Sequence, residues 1–112
     1  MNLKYFYFNQ IVLIVLLNLS FNTLKAQSDI ATARASTVGS TITVTGIALN
    51  SDNDINGVIV YIQDSTAGIA IYEPGITISR GQSITLTGEL VDYNNLLEIS
   101  NVTNYTIDTN VQ

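Results

Sequence analysis

Between residues 41 and 102, apolar and polar side chains alternate in short runs separated by glycine, asparagine, aspartate and proline. Period-2 alternation of this kind marks half-buried β-strands. Residues 58–72 show it most clearly, as two strands joined by a tight polar turn over residues 64–68. Val58, Val60 and Ile62 share one face, and Ile59, Tyr61 and Gln63 share the other. Past the turn, Ile69 and Ile71 oppose Ala70 and Tyr72. Residues 41–49 set Ile42 and Val44 against Thr41, Thr43 and Thr45 until Gly46, after which Ile47 and Leu49 fall out of phase. A β-bulge at Gly46 would restore the register, and glycine permits one. A fourth strand is expected over residues 83–93, a hairpin turn at Asn94 and Asn95, and a fifth strand over 96–102. A polar tail follows that pairs in part. Pro74–Gly75 and Arg80–Gly81 punctuate the connector before the fourth strand. Residues 28–35 favour one helical turn, with Ser28 or Asp29 as its cap.

One hexamer recurs. Residues 41–46 read Thr-Ile-Thr-Val-Thr-Gly and residues 83–88 read Ser-Ile-Thr-Leu-Thr-Gly. Both place glycine at the same phase of a half-buried strand. The repeat is either chance in a Thr/Ile-rich chain or two strands that each bend at a barrel corner, and the shared phase favours the corner.

The first 26 residues follow a different pattern. Lys4 gives a positive start, residues 11–17 are an unbroken apolar run, and Ala26 supplies a small residue for cleavage. This is the layout of a secretory signal peptide. Asn9, Gln10 and Asn18 interrupt the apolar stretch, which argues against a spanning helix of about 20 apolar residues. The expected organisation is a signal peptide over 1–26 and one domain over 27–112, exported to the periplasm, cell surface or medium, with no membrane span after cleavage. All nine acidic residues lie beyond Ala26, with only Arg34 and Arg80 against them, a formal charge of −7. Non-specific nucleic-acid binding draws on Lys and Arg neutralising phosphates, and two arginines make no basic stripe. The three phenylalanines fall in the leader, so the domain must build its core from Ile, Val, Leu and Ala. It has no cysteine and hence no disulfide. Barrel closure, which removes free edges, would suit so small a chain.

Five strands, bent first and fourth strands and the hairpin over residues 61–72 together resemble the nucleic-acid-binding OB-like domains of secreted bacterial proteins. Such domains occur beside extracellular nucleases and in multi-domain surface proteins of Gram-negative bacteria. The resemblance rests on residues 30–35, 44–46, 62–64, 68–70, Gly81, 91–94 and 97–99, and so covers nearly all of 30–102. It implies an all-β, five-stranded OB-fold-like Greek-key barrel. The helix common between strands three and four is reduced or absent, because residues 73–81 leave little room. It also implies a binding module, with single-stranded nucleic acid as the usual partner or a role accessory to a nuclease. The alternative is a surface or interaction domain that binds protein or glycan, with or without calcium.

OB-folds bind across the face of strands two and three and the adjoining loops. Tyr61, Gln63 and Tyr72 fall on that outer face, with Tyr93 and Arg80 expected to flank it. They make either a stacking platform or an ordinary strand surface, on which aromatics are common. Asp52, Asp54 and Asn56, before Gly57, have the spacing that opens a calcium loop. The closing acidic ligand is missing, since its position falls on Gln63. A polar hairpin loop is the simpler reading, and a loose calcium site closed by Asp64 or a neighbouring loop is the alternative. No other cofactor is expected. The chain contains no His and no Cys, which excludes the usual triads, zinc sites and cysteine nucleophiles. The expected role is non-catalytic.

Overall fold

The computed structural model describes residues 27–110. The signal peptide expected over residues 1–26 lies outside them, as do the last two residues of the expected domain. Helix α1 (Ile30–Arg34) precedes β1 (Thr41–Ala48), β2 (Ile59–Gln63), β3 (Gly68–Tyr72), β4 (Ser83–Tyr93) and β5 (Leu96–Asp108). The strands close into a barrel in the order β1-β2-β3-β5-β4. Every neighbouring pair is antiparallel except β3 and β5, which run parallel. This is an OB-like Greek-key barrel. Among the described residues, no helix is long and apolar enough to cross a membrane.

Period-2 alternation builds the core as expected. Ile42, Val44 and Ala48 of β1 face inward with Ile84, Leu86 and Leu90 of β4, and Val60, Ile62, Ile69, Ile71 and Ile99 close around them. No aromatic ring lies in this cluster. α1 adds Ile30 and Ala33. The connector between β3 and β4 contains no helix, in line with its length, and buries Ile76 and Ile78 instead.

The two echoing hexamers lie against each other. β1 and β4 pair antiparallel from Thr41↔Glu89 to Ile47↔Ser83, so Ile42 faces Gly88, Val44 faces Leu86 and Gly46 faces Ile84. On the opposite face, Thr43 and Thr87 join hydroxyls at 2.8 Å and Thr45 and Thr85 at 2.6 Å. Each inward glycine gives way to a third strand. A Cβ at Gly46 would lie 3.0 Å from Ile62 on β2, and one at Gly88 would lie 2.7 Å from Ile99 on β5. The glycines therefore admit the neighbouring strands where the barrel turns its corners.

The bulge expected at Gly46 does not form. β1 runs in unbroken register with β4 past that residue. Ala48 carries the inner face, Ile47 is half-buried among the outward threonines, and Leu49 lies beyond the strand. The apolar phase therefore has no slip to repair. The irregularity is instead in the β4–β5 ladder, between Thr87 and Glu89. Asn101 takes a positive φ of 50° on the β5 side of it. The tail pairs in part, as expected: β5 resumes pairing with β4 at Asn104 and continues to Asp108.

Candidate functional site

The strands are joined by connections that set what each end of the barrel exposes. Asn94 and Asn95 turn β4 into β5 with φ of 52° and 69°. Positive φ at both central residues is the type I′ condition, and asparagine tolerates it better than most residues. Asp92 Oδ1 accepts the Asn95 N–H at 2.9 Å and fixes the turn. Tyr93 and Leu96 are thereby held as a cross-strand pair at the tip of this hairpin. Tyr72 and Ile59 are the corresponding pair at the open end of the β2–β3 hairpin.

Between these two pairs lies a pocket of about 320 Å³ lined by Ile59, Tyr72, Tyr93, Leu96 and Glu98. It sits on the outer face of the sheet. Glu98 of β5 stands beside Ala70 of β3 and Val91 of β4. Glu98 as a residue is only 5% exposed, whereas Tyr72 and Tyr93 are 43% and 63% exposed. Among the described residues, Ser100 Oγ is the partner of Glu98, donating to Oε1 at 3.2 Å. The site is thus a cleft with aromatic and aliphatic walls and an acidic base.

Of the face residues expected from the sequence, Tyr72 and Tyr93 come together in this pocket. Tyr61 occupies the same sheet face, half-buried and paired with Ala70. Gln63 ends β2 opposite Gly68, at the other end of the hairpin. Arg80 does not flank the pocket. Its N–H donates to Ser51 Oγ at 3.1 Å, so it belongs with the loop that follows β1. The reason is the pairing of the two connectors. Asp52 N–H donates to the Ile78 carbonyl, and Asp52 Oδ1 accepts the Ile78 N–H at 2.8 Å. Ile59, Leu96 and Glu98 were not singled out by sequence. A lone glutamate on a strand normally meets solvent, and nothing in the local pattern of residues 96–100 marks Glu98 as buried.

The acidic loop has structural work. Asp52 ties it to the β3–β4 connector, and Asp54 Oδ2 accepts the Ser51 N–H at 2.7 Å. Asn56 and Gly57 take positive φ in the turn that enters β2. Both oxygens of Asp64, considered above as a closing ligand, are engaged elsewhere. Oδ2 accepts the Ile30 N–H at 2.8 Å, and Oδ1 accepts from Thr66 N–H, Thr66 Oγ1 and Ala67 N–H. Thr66 Oγ1 accepts the Ala31 N–H at 3.1 Å, and Asp29 caps Thr32 at 2.7 Å. The β2–β3 turn therefore supplies most of the capping of α1. The Thr66 hydroxyl, followed by the Ile30 N–H, holds the Asp64 carboxyl well below the usual carboxylate range. Among the described residues, no three His, Cys, Asp or Glu side chains are grouped to hold a metal ion.

Asn50 is a further structural device. β1 and β2 pair at only two positions, Ile47↔Gln63 and Ala48↔Ile62. Beyond them, Asn50 Nδ2 donates to the Ile59 carbonyl at 2.9 Å, and its Oδ1 accepts the Tyr61 N–H at 2.8 Å. One side-chain amide thus extends the ladder along the strand that carries Ile59 and Tyr61.

No family model matches the chain, and no curated protein does. Among solved structures, the chain is similar to the hypothetical protein ygiW from E. coli, with a TM-score of 0.60 at 16% identity over 74% of this chain and 90% of that one. At that identity the likeness concerns the fold.

Proposed function

We propose that the chain is a non-catalytic binding module that takes its ligand on the outer face of β2, β3 and β5, in the cleft between Tyr72 and Tyr93. The observation that carries this reading is the pocket itself, built from the tip of the β4–β5 hairpin and the open end of the β2–β3 hairpin and lined by Ile59, Tyr72, Tyr93, Leu96 and Glu98. OB-like barrels use the same face for oligonucleotides and oligosaccharides. The leader-like first 26 residues support action outside the cytoplasm. Among partner classes, the acidic balance and the Glu98 carboxylate favour small ligands, proteins or glycans over single-stranded nucleic acid.

Amide chemical-shift mapping tests the reading. The protein is titrated with a panel comprising a single-stranded oligonucleotide at low salt, glycan fragments, short peptides and small organic ions. The expected result is that at least one class shifts residues 59, 72, 93, 96 and 98 saturably, and that Tyr93→Ala weakens it several-fold. Shifts confined to the loops around residues 52–56 and 78–82, or an unchanged affinity in Tyr93→Ala, would place binding elsewhere.

A further inference from the structure

We infer that the Tyr72–Tyr93 pocket takes a small organic cation, a protonated alkylamine or alkylguanidinium, with Glu98 as its counter-ion. This rests on the binding-module reading above and names its ligand class. Glu98 stands on the central strand of the face, between the apolar neighbours Ala70 and Val91. At 5% exposure it is, among the described residues, one of two buried polar or charged side chains, and the other is its hydrogen-bond partner Ser100. Acidic side chains are almost never this buried unless paired, because desolvating a charge is costly. A carboxylate offers about four acceptor sites, and among the described residues Ser100 fills one.

Among the described residues, no cation meets it. The two basic residues of the described chain are Arg34, which donates to the Gly68 carbonyl at 3.0 Å, and Arg80 on the distant connector. Neither lines the pocket. What remains is a carboxylate acceptor that reaches solvent at the base of an accessible cleft. The walls suit the same ligand. Tyrosine ring faces attract cations within about 6 Å, and Ile59 and Leu96 can cover an alkyl chain. A pocket of about 320 Å³ is at the small end of the range for ligand sites, about 300–1,000 Å³. It therefore fits a chain of a few carbons better than a polymer segment.

The test is a titration at 0.15 M salt, about physiological ionic strength, with three probes of similar length: cadaverine, the neutral 1,5-pentanediol and the anionic glutarate. Cadaverine is expected to shift the amides of residues 59, 72, 93, 96 and 98 saturably and to bind at least about tenfold tighter than the diol. Glu98→Gln should lower that affinity about tenfold or more, with circular dichroism reporting an intact barrel. Tyr93→Ala, at an exposed position where folding is not at stake, should weaken it several-fold. Equal binding of cadaverine and pentanediol, an unchanged affinity in Glu98→Gln, or shifts scattered over the acidic surface would overturn the inference. Binding of glutarate or the diol in the pocket without cadaverine would overturn it while leaving the binding-module reading in place. A lysine-containing peptide that binds where cadaverine does not would likewise overturn it in favour of a protein partner.

Discussion

Replacing Gly88 by alanine puts the barrel's corner to a direct test. The new Cβ would lie 2.7 Å from Ile99 Cγ2, 2.9 Å from the Ser100 carbonyl oxygen and 3.4 Å from Val102 Cα. Two of these obstacles are backbone, and the third belongs to a side chain with no exposed surface. Close-packed interiors yield little, so the strand must shift. Overpacking of this kind costs about 1–3 kcal/mol. The φ at Gly88 is not among the positive values, so alanine meets no backbone penalty and even gains about 0.4–1 kcal/mol from a stiffer unfolded chain. The net expectation is a loss of about 1–2 kcal/mol, a sizeable share of the total for a domain worth about 0.05–0.15 kcal/mol per residue. Gly46→Ala makes the comparison. Its nearest neighbours are Ile62 Cβ and Cδ1 at 3.0 Å and the Gln63 carbonyl at 3.1 Å, none as close as the 2.7 and 2.9 Å met at Gly88. It should cost less. Urea unfolding followed by circular dichroism should show a lower midpoint for both variants with the slope unchanged. A Gly88→Ala protein as stable as the parent, or a Gly46→Ala protein that loses more, would refute the close-approach account of the repeated hexamer.

Asn50→Ala should lower stability by about 1–3 kcal/mol, since it leaves the Ile59 carbonyl and Tyr61 N–H without their amide partner; denaturant titration measures it. Asp64→Asn should also destabilise, with a defined pH signature. The folded carboxyl titrates below its ordinary value, so its contribution is present above the unfolded pKa near 3.9 and is lost as pH falls toward the folded one. The stability gap between parent and variant should therefore be full at pH 6 and shrink below about pH 4; a gap independent of pH would refute it. Asp52→Ala should lower the melting temperature in the presence of chelator, because it removes the acceptor for Ile78 N–H. A loss seen only when calcium is present would instead assign Asp52 to a cation. Thr43→Val combined with Thr87→Val should show a coupling of about 0.2–1 kcal/mol in a double-mutant cycle.

Much of the barrel is legible in the chain because each strand is decided locally. Ile84, Leu86 and Leu90 alternate with Thr85, Thr87 and Glu89, and the Asn94–Asn95 turn is written in adjacent residues. The repeated hexamer points correctly to the corners but not to its cause, since Gly88 answers to Ile99 and Gly46 to Ile62, neither of them a sequence neighbour. The bulge lies elsewhere because Ala48, small as it is, carries the core face of β1, while the more conspicuous Leu49 lies beyond the strand. The site shows the same division. Tyr72 and Tyr93 can be assigned to the outer face from alternation alone. That they meet across a pocket follows from the parallel pairing of β3 with β5, which no local pattern announces. Asp64 as the cap of α1 has the same character, as its partner lies 34 residues away.

The charge of this chain acquires meaning from where its few cations are placed. An acidic protein can still bind nucleic acid if its basic residues gather on one face. Here Arg34 is turned to the Gly68 carbonyl and Arg80 stands with the connector beside Ser51. Among the described residues, the face with the exposed tyrosines therefore has an aromatic platform without the positive groove that normally accompanies it. Glu98 makes the imbalance local. Two unit charges about 4 Å apart near a protein surface interact by about 4 kcal/mol, more than the roughly 1–3 kcal/mol gained by stacking a base on an aromatic ring. A phosphate close to Glu98 would then lose more than a stacked base recovers, whereas an ammonium group would gain from the carboxylate and the rings together. Placement of the carboxylate, rather than net charge alone, is what separates the two ligand classes on this face.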